Sequence, residues 1–305
     1  MASEMVPAER RHAFLVFAHD RFDVLETLLG LINDERNDIY VHLDKKAGSV
    51  DTSRFARRCT DSRLVFVPRI NVYWGHYSQV EAVLQALAIA ATGKYAYFHV
   101  MSGTDLPLQS NDHFHAFFRD HAGKEFVAFN DFPPYTHEWL AYYYPLNRHL
   151  RSSSKTIRRL YSHFRRLSTQ FQRRVGIDRT RGFEVEIKYG SDWFSITQEL
   201  ARYLVSHQSE IEHIFRPSFN PVEYYVQTMV WNSPFRDSVF DLDDPYRSNM
   251  RLIDFKRGTG SSPHVWTMND ADELLTSDRL LARKFDSDVD QEIIEVISRH
   301  VAQGR

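Results

Sequence analysis

The chain has 305 residues, 43% of them hydrophobic, enough for one large core, and its formal net charge of −2 asks for neither a nucleic acid nor a membrane as partner. Cys59 is the only cysteine, which excludes an intramolecular disulfide framework and a multi-cysteine metal centre and suits a reducing cytoplasm. Residues 1–11 are polar and charged where a secretory signal would be apolar, and no run approaches the roughly 20 apolar residues of a membrane span.

From the N-terminus, His12–His19 (HAFLVFAH) is short, apolar and stopped by Asp20, which predicts a buried strand. Val24, Leu25, Leu28, Leu29 and Ile32 then recur at helical spacing, and Asp38–Asp44 (DIYVHLD) supplies a second strand. Leu64–Pro68 is a third strand, Gln79–Ala91 a helix, and Tyr95–Met101 a fourth strand running into Ser102-Gly103-Thr104-Asp105. This alternation predicts an α/β fold with a mostly parallel central sheet flanked by helices. In such sheets ligands bind at the carboxyl ends of the strands, where Asp44, Tyr73-Trp74-Gly75 and Asp105 fall.

Residues 148–181 differ in character: eleven Lys or Arg residues face one acid, Asp178. Ile157, Leu160, Tyr161, Phe164, Leu167, Phe171 and Val175 recur at steps of one helical turn, so the stretch predicts a basic amphipathic helix inserted in the domain. Near the C-terminus, Gln291–Val301 predicts a helix whose start favours the acidic run Asp286, Asp288 and Asp290 electrostatically, which argues against reading that run as a metal site. Among the fifteen histidines only His113 and His115 approach metal-ligand spacing, and their alternation suggests a solvated helix end or loop more than ligands.

Two segments place polar residues in aromatic surroundings, Gly190–Thr197 (GSDWFSIT) and Asn220–Thr228 (NPVEYYVQT). Glu223 follows Pro221 and precedes Tyr224, Tyr225 and Val226; a carboxylate desolvated there is poised to accept a proton. A plain helix-start carboxylate after Pro accounts for the same residues equally well. Trp193 and Tyr225 offer rings that could stack on a sugar or simply pack, and Asp192 offers an acceptor for a sugar hydroxyl or a surface charge.

Six segments in order, HLDKK (from His42), VYWGHYSQV (from Val72), SGTDLPL (from Ser102), GSDWFSIT, NPVEYYVQT and LLARKFDSDVD (from Leu280), resemble the core-2/I-branching β-1,6-N-acetylglucosaminyltransferases, to which peptide xylosyltransferases are related. The resemblance runs from about His12 to His300. It implies a GT-A-type nucleotide-sugar fold in one domain, residues 1–305, with the basic helix as an insertion. It further implies inverting, metal-independent transfer of a sugar from a UDP-sugar to a glycan hydroxyl, forming a β-linkage. Glu223 matches the family's catalytic base, Lys284 and Arg251 its contacts to the diphosphate of the sugar donor, and Asp44 and Tyr73 positions near the uridine. Asp105, Asp192, Trp193 and Tyr225 are then candidates for the acceptor or the transferred sugar.

No metal and no cofactor beyond the UDP-sugar is expected, because Arg251 and Lys284 can neutralise the leaving diphosphate and the segment before Asp105 holds no second carboxylate. N-acetylglucosamine leads as the transferred sugar, with xylose and glucuronate as alternatives. Two competing readings are a non-catalytic carbohydrate- or nucleotide-binding protein of this fold and a metal-dependent GT-A enzyme using Asp105. The animal members' signal anchor and disulfide cysteines have no counterpart here, which implies a bacterial-type, cytoplasmic member acting in polysaccharide biosynthesis. Its expected acceptor is a glycan or lipid-linked glycan, and its basic helix is either a peripheral contact with anionic membrane at the inner face, a site for a phosphate-bearing acceptor, or an ordinary surface helix. No nucleic acid is expected as a partner.

Overall fold

The computed structural model describes residues 11–133, 136–260 and 262–304. In chain order they form β1 (His12–Ala18), α1 (Phe22–Leu31), β2 (Asn37–Leu43), α2 (Ser53–Ala56), β3 (Arg63–Phe66), α3 (Ser78–Ala90), β4 (Tyr97–Ser102), β5 (Asp105–Pro107), α4 (Asn111–Asp120) and β6 (Phe129–Asn130). Then come α5 (His137–Ala141), α6 (Lys155–Arg174), β7 (Tyr189–Gly190), β8 (Phe194–Thr197), α7 (Gln198–Ser206), α8 (Gln208–Phe215) and α9 (Tyr225–Trp231). The last elements are α10 (Pro245–Ser248), β9 (Arg251–Ile253), α11 (Ala271–Leu275), β10 (Leu281–Arg283) and α12 (Gln291–Gln303).

The main sheet has the order β3-β2-β1-β4-β8. β3, β2, β1 and β4 run parallel, and β8 joins β4 antiparallel. The mixed α/β architecture with a mostly parallel sheet is thus the expected one, and each strand and helix anticipated from β1 to β4 is present within two residues. Strand periodicity explains the layering. Ala13 and Leu15 of β1 face one core with Phe98 and Val100 of β4, built under α3, α7 and α9, whereas Phe14 and Val16 face the other, under α1, α4 and α12.

The direction of the chain reverses beside β1, where β2 lies on one side and β4 on the other, so the crevice opens at the carboxyl ends of β1, β2 and β4. A second sheet, β5-β10-β9, stands at that end. Its three short strands brought no alternating signal to the sequence, and it was not anticipated. Nor was β8, in which GSDWFSIT pairs with β4.

His113 lies exposed in the first turn of α4, the solvated helix end expected, whereas His115 is buried. Ser110 caps that helix, which turns Phe114, His115 and Phe118 into the core. The acidic run before α12 is engaged by protein groups: Arg21 pairs with Asp286 and Asp288, and Asp290 caps α12 by accepting from Ile293 N. The basic stretch contains α6, which is capped by Ser154 and packs by Tyr161 and Gln172 on the Tyr142–Leu150 segment.

Candidate active site

The small sheet brings charge to the crevice. Asp105 in β5 stands directly opposite Arg283 in antiparallel β10. Asp105 is buried, and an unpaired carboxylate there would be costly. Arg283 Nη1 donates to Asp105 Oδ1 at 2.9 Å and to Thr104 Oγ1 at 3.2 Å, and Ser102 N donates to Asp105 Oδ2 at 2.9 Å. The same guanidinium lies over the Trp193 ring, 4.7 Å from its centroid.

β9 runs parallel to β10 and carries Arg251. Arg251 is 5% exposed, and its Nη2 donates to Phe194 O at 2.9 Å and to Ser195 Oγ at 3.3 Å. Nε and Nη1 have no partner. Burial pushes the guanidinium down to about 10, partly countered by the charges of Asp105 and Asp192. Buried and charged, with the Nε–H and both Nη1–H bonds unpartnered among the described residues, this arginine presents preorganised donors suited to an anion.

Asp192 ties this wall to Glu223. Its carboxyl is pushed up to about 6 by burial, against the pull of Arg283. Glu223 is pushed up to about 7, first by burial and then by the charge of Asp192, while hydrogen bonds from Asn220 and Tyr189 favour its ionised form. The local fold holds both carboxyls in place. Asn220 adopts a left-handed conformation (φ 50°), Pro221–Glu223 form a single 3-10 turn, and α9 starts two residues later. From α9, Gln227 Nε2 donates to Ser191 O at 2.7 Å and to Ala128 O at 3.2 Å, which anchors the residue before Asp192. Gly190 is required there because a Cβ would fall 1.9 Å from Ala128 O.

Asp44 and Tyr73 meet through Lys46. Lys46 Nζ is 3.3 Å from Asp44 Oδ2 and 4.6 Å from the centroid of Tyr73. Asp44 is fixed at the end of β2 by its own N–H on Ala18 O at 2.8 Å and by Lys46 N on its Oδ1 at 2.9 Å. Lys284 follows β10 and is partly buried; desolvation first and then the charge of Arg283 lower its ammonium, while Asp286 and Asp20 raise it. The structure thus gathers Asp105, Asp192, Trp193, Arg251 and Lys284 around Arg283, joins Glu223 to them through Asp192, and sets Asp44 with Tyr73 at the neighbouring strand end.

Two expectations need correction. Tyr225 is 0% exposed, packed in the core with Phe194, so it has no ring face for a sugar. Asp105, 1% exposed, spends both oxygens on Arg283 and Ser102 and acts as the anchor of an arginine. Trp193 is partly exposed but has one face under Arg283. Arg283 itself, Lys46, Tyr189 and Asn220 were missed. Arg283 could have been found by asking which cation neutralises Asp105; the others are recognisable only from their contacts.

Chemically, this is a wall of fixed cations facing carboxyls near neutrality, able to hold an anionic group while a neighbouring base removes a proton. Such a site at the carboxyl end of an α/β sheet is chemically able to support group transfer. The family model described as core-2/I-branching enzyme matches residues 12–264, and the chain belongs to that family, one of glycosyltransferases. Xylosyltransferase 2 of Canis lupus familiaris is 24% identical over 325 residues, covering 95% of this chain and 34% of the relative, and the Rattus norvegicus protein of that name matches to the same extent. Xylosyltransferase sqv-6 of Caenorhabditis briggsae is 24% identical over 287 residues, 84% of this chain and 32% of its own. The chain therefore spans about a third of the length of these curated relatives. A looser likeness links it to the apo crystal structure of mouse xyloside xylosyltransferase 1, with a TM-score of 0.40 and 9% identity over 89% of this chain and 96% of the other.

Proposed function

We propose that the chain is an inverting glycosyltransferase of GT-A type that moves a sugar from a UDP-sugar to a hydroxyl of a glycan acceptor, in one displacement and without a metal ion. The observation that carries this reading is Arg251, buried with its Nε and Nη1 unpartnered among the described residues and coupled through Asp192 to Glu223. In the step, the acceptor oxygen bonds to the anomeric carbon as its proton passes to Glu223, and the bond from that carbon to the diphosphate oxygen breaks. The electron pair leaves with UDP, where Arg251, Arg283 and Lys284 meet the developing charge.

A Glu223 near 7 suits a base working at neutral pH. Asp44 and Tyr73, with Lys46, form a small polar and aromatic pocket at the end of β2 suited to the uridine. Asp192 is assigned to a sugar hydroxyl and the open face of Trp193 to the apolar face of a sugar. The metal-free reading is supported by the partners of the acidic groups: Asp105, Asp286 and Asp288 pair with arginines, and Asp290 is a helix cap. The relatives named xylosyltransferases put UDP-xylose beside UDP-N-acetylglucosamine as the first sugar donors to test, with UDP-glucuronate third.

The test is Glu223→Gln assayed for transfer, with UDP binding measured by calorimetry. The expected result is a loss of about 10²- to 10⁴-fold in transfer with UDP affinity near that of the native chain, and native activity that survives EDTA. Full activity in Glu223→Gln would end the base assignment. Activity abolished by EDTA and restored by manganese would end the metal-free mechanism.

A further inference from the structure

Among the described residues α6 stands out from the other helices by what it leaves uncovered. Leu160 is 66% exposed, Leu167 66% and Phe171 63%, and Ile157 and Phe164 are also exposed. Only Tyr161 and Gln172 of this helix are buried. At about 100° per residue these positions form two adjacent seven-residue columns, Ile157-Phe164-Phe171 and Leu160-Leu167, on a helix about 30 Å long. Arg174 continues the second column, and Arg159 and Arg166, both exposed, lie about 100° further around the helix than Leu160 and Leu167, beyond the row of Thr156, His163 and Gln170. The helix holds seven Lys or Arg residues and no Asp or Glu.

We propose that α6 is a docking helix for an anionic lipid surface, with its leucine and phenylalanine columns entering the boundary between headgroups and acyl chains and its arginines pairing with lipid phosphates. Charge decides between occupants. Two copies of α6 packed face to face would align like charges along their whole length, whereas an anionic surface complements them. No helix among the described residues is long and apolar enough to cross a membrane, so the contact is peripheral.

The docking face and the candidate base share a support. Arg165 of α6 lies over the Phe219 ring, 5.5 Å from its centroid, and Phe219 precedes Asn220, which bonds Glu223. Phe219 is also fixed by its N–H on Trp139 O at 2.9 Å. Docking through α6 therefore holds the Glu223 side of the crevice at a fixed orientation to the lipid. A lipid-linked glycan as acceptor follows from this, and that consequence alone rests on the transferase reading.

The experiment is co-sedimentation of the full chain with vesicles of phosphatidylcholine alone or mixed with phosphatidylglycerol, at low and high salt, with solution mass measured in parallel. The expected result is binding to the mixed vesicles only, weakened by salt. Arg159→Gln, Arg166→Gln and Arg174→Gln together should weaken it about a hundredfold, and Leu160→Gln, Leu167→Gln and Phe171→Gln together should abolish it. Both variants should keep native thermal stability and UDP affinity, which separates a docking defect from misfolding. Absence of binding to the mixed vesicles overturns the proposal. So does a native dimer that the apolar-column variant turns into a monomer. Vesicle binding is read without any transfer assay, so failure of the transferase reading leaves it standing or falling by itself.

Discussion

Ser195 sits between two buried polar regions built on opposite principles. On one side its Oγ meets His99 Nδ1 at 2.9 Å; His99 Nε2 meets His12 Nδ1 at 3.0 Å, and His115 Nε2 meets Asn37 Oδ1 at 2.8 Å. That cluster is closed by aromatic rings, with His12 and His115 centroids 4.2 Å apart and Phe114 and Phe118 beside them. On the other side the same Oγ accepts from Arg251, whose Nε and Nη1 find nothing. The histidine side spends its hydrogen bonds inside the fold and is structural. The arginine side keeps the N–H donors of Nε and Nη1 unused among the described residues, at a cost in stability, and that is the mark of a group kept for a ligand.

Arg251→Met breaks the comparison most forcefully. The change should lower transfer by about 10²- to 10³-fold and weaken UDP binding, while the thermal midpoint holds or rises because a poorly paired buried charge is removed. A fall of many degrees in the midpoint, seen by calorimetry, would make Arg251 a structural group like its histidine neighbours.

The histidine side should answer to acid. His12 and His99 are held well below 6.5 by burial, and His115 is lowered to about 4, chiefly by burial and then by Arg36, with Asp34 and Asp112 opposing. Groups with depressed folded values contribute stability that is full above the unfolded value and lost as pH falls toward the folded one. Thermal stability should therefore drop between about pH 6.5 and pH 4. Glu125 and Glu223, each pushed up to about 7 by burial, and Asp192, pushed up to about 6, bind protons in the folded state and oppose this trend, so replacing them together (Glu125→Gln, Asp192→Asn, Glu223→Gln) should steepen the loss. A flat profile from pH 6.5 to 4 in that triple variant would show that the cluster does not resist protonation.

The smallest effect is expected at Tyr225, whose buried hydroxyl is also unpartnered. Tyr225→Phe should change stability by no more than about 1 kcal/mol, toward greater stability, and leave transfer intact. Lost transfer with unchanged stability would place that hydroxyl on the substrate.

Much of the fold was legible because it is written locally. The strands from His12 to Ser102 and the helices between them follow from apolar periodicity and from short, clear stops, and α6 and α12 from helical spacing. The residues of the site were legible through ordered motifs, but their roles were only partly so. Glu223 read equally well as a helix-start carboxylate; what distinguishes it is burial and the charge of Asp192, which lies thirty-one positions earlier in the chain. Tyr225 read as a sugar platform because an aromatic residue beside a polar one looks the same whether it faces solvent or core.

By itself the sequence determined the alternating α/β order, the single cysteine, the basic amphipathic helix and the set of polar residues able to do chemistry. Those properties depend on neighbours within a few positions. Only the tertiary structure decided that Arg283 neutralises Asp105 across a three-residue strand pair, that Arg251 is buried with open N–H groups, and that Leu160, Leu167 and Phe171 of α6 are left mostly exposed. Each of these depends on burial and on contacts between distant segments, and the free energy of a charge or an apolar face is set by what surrounds it in space.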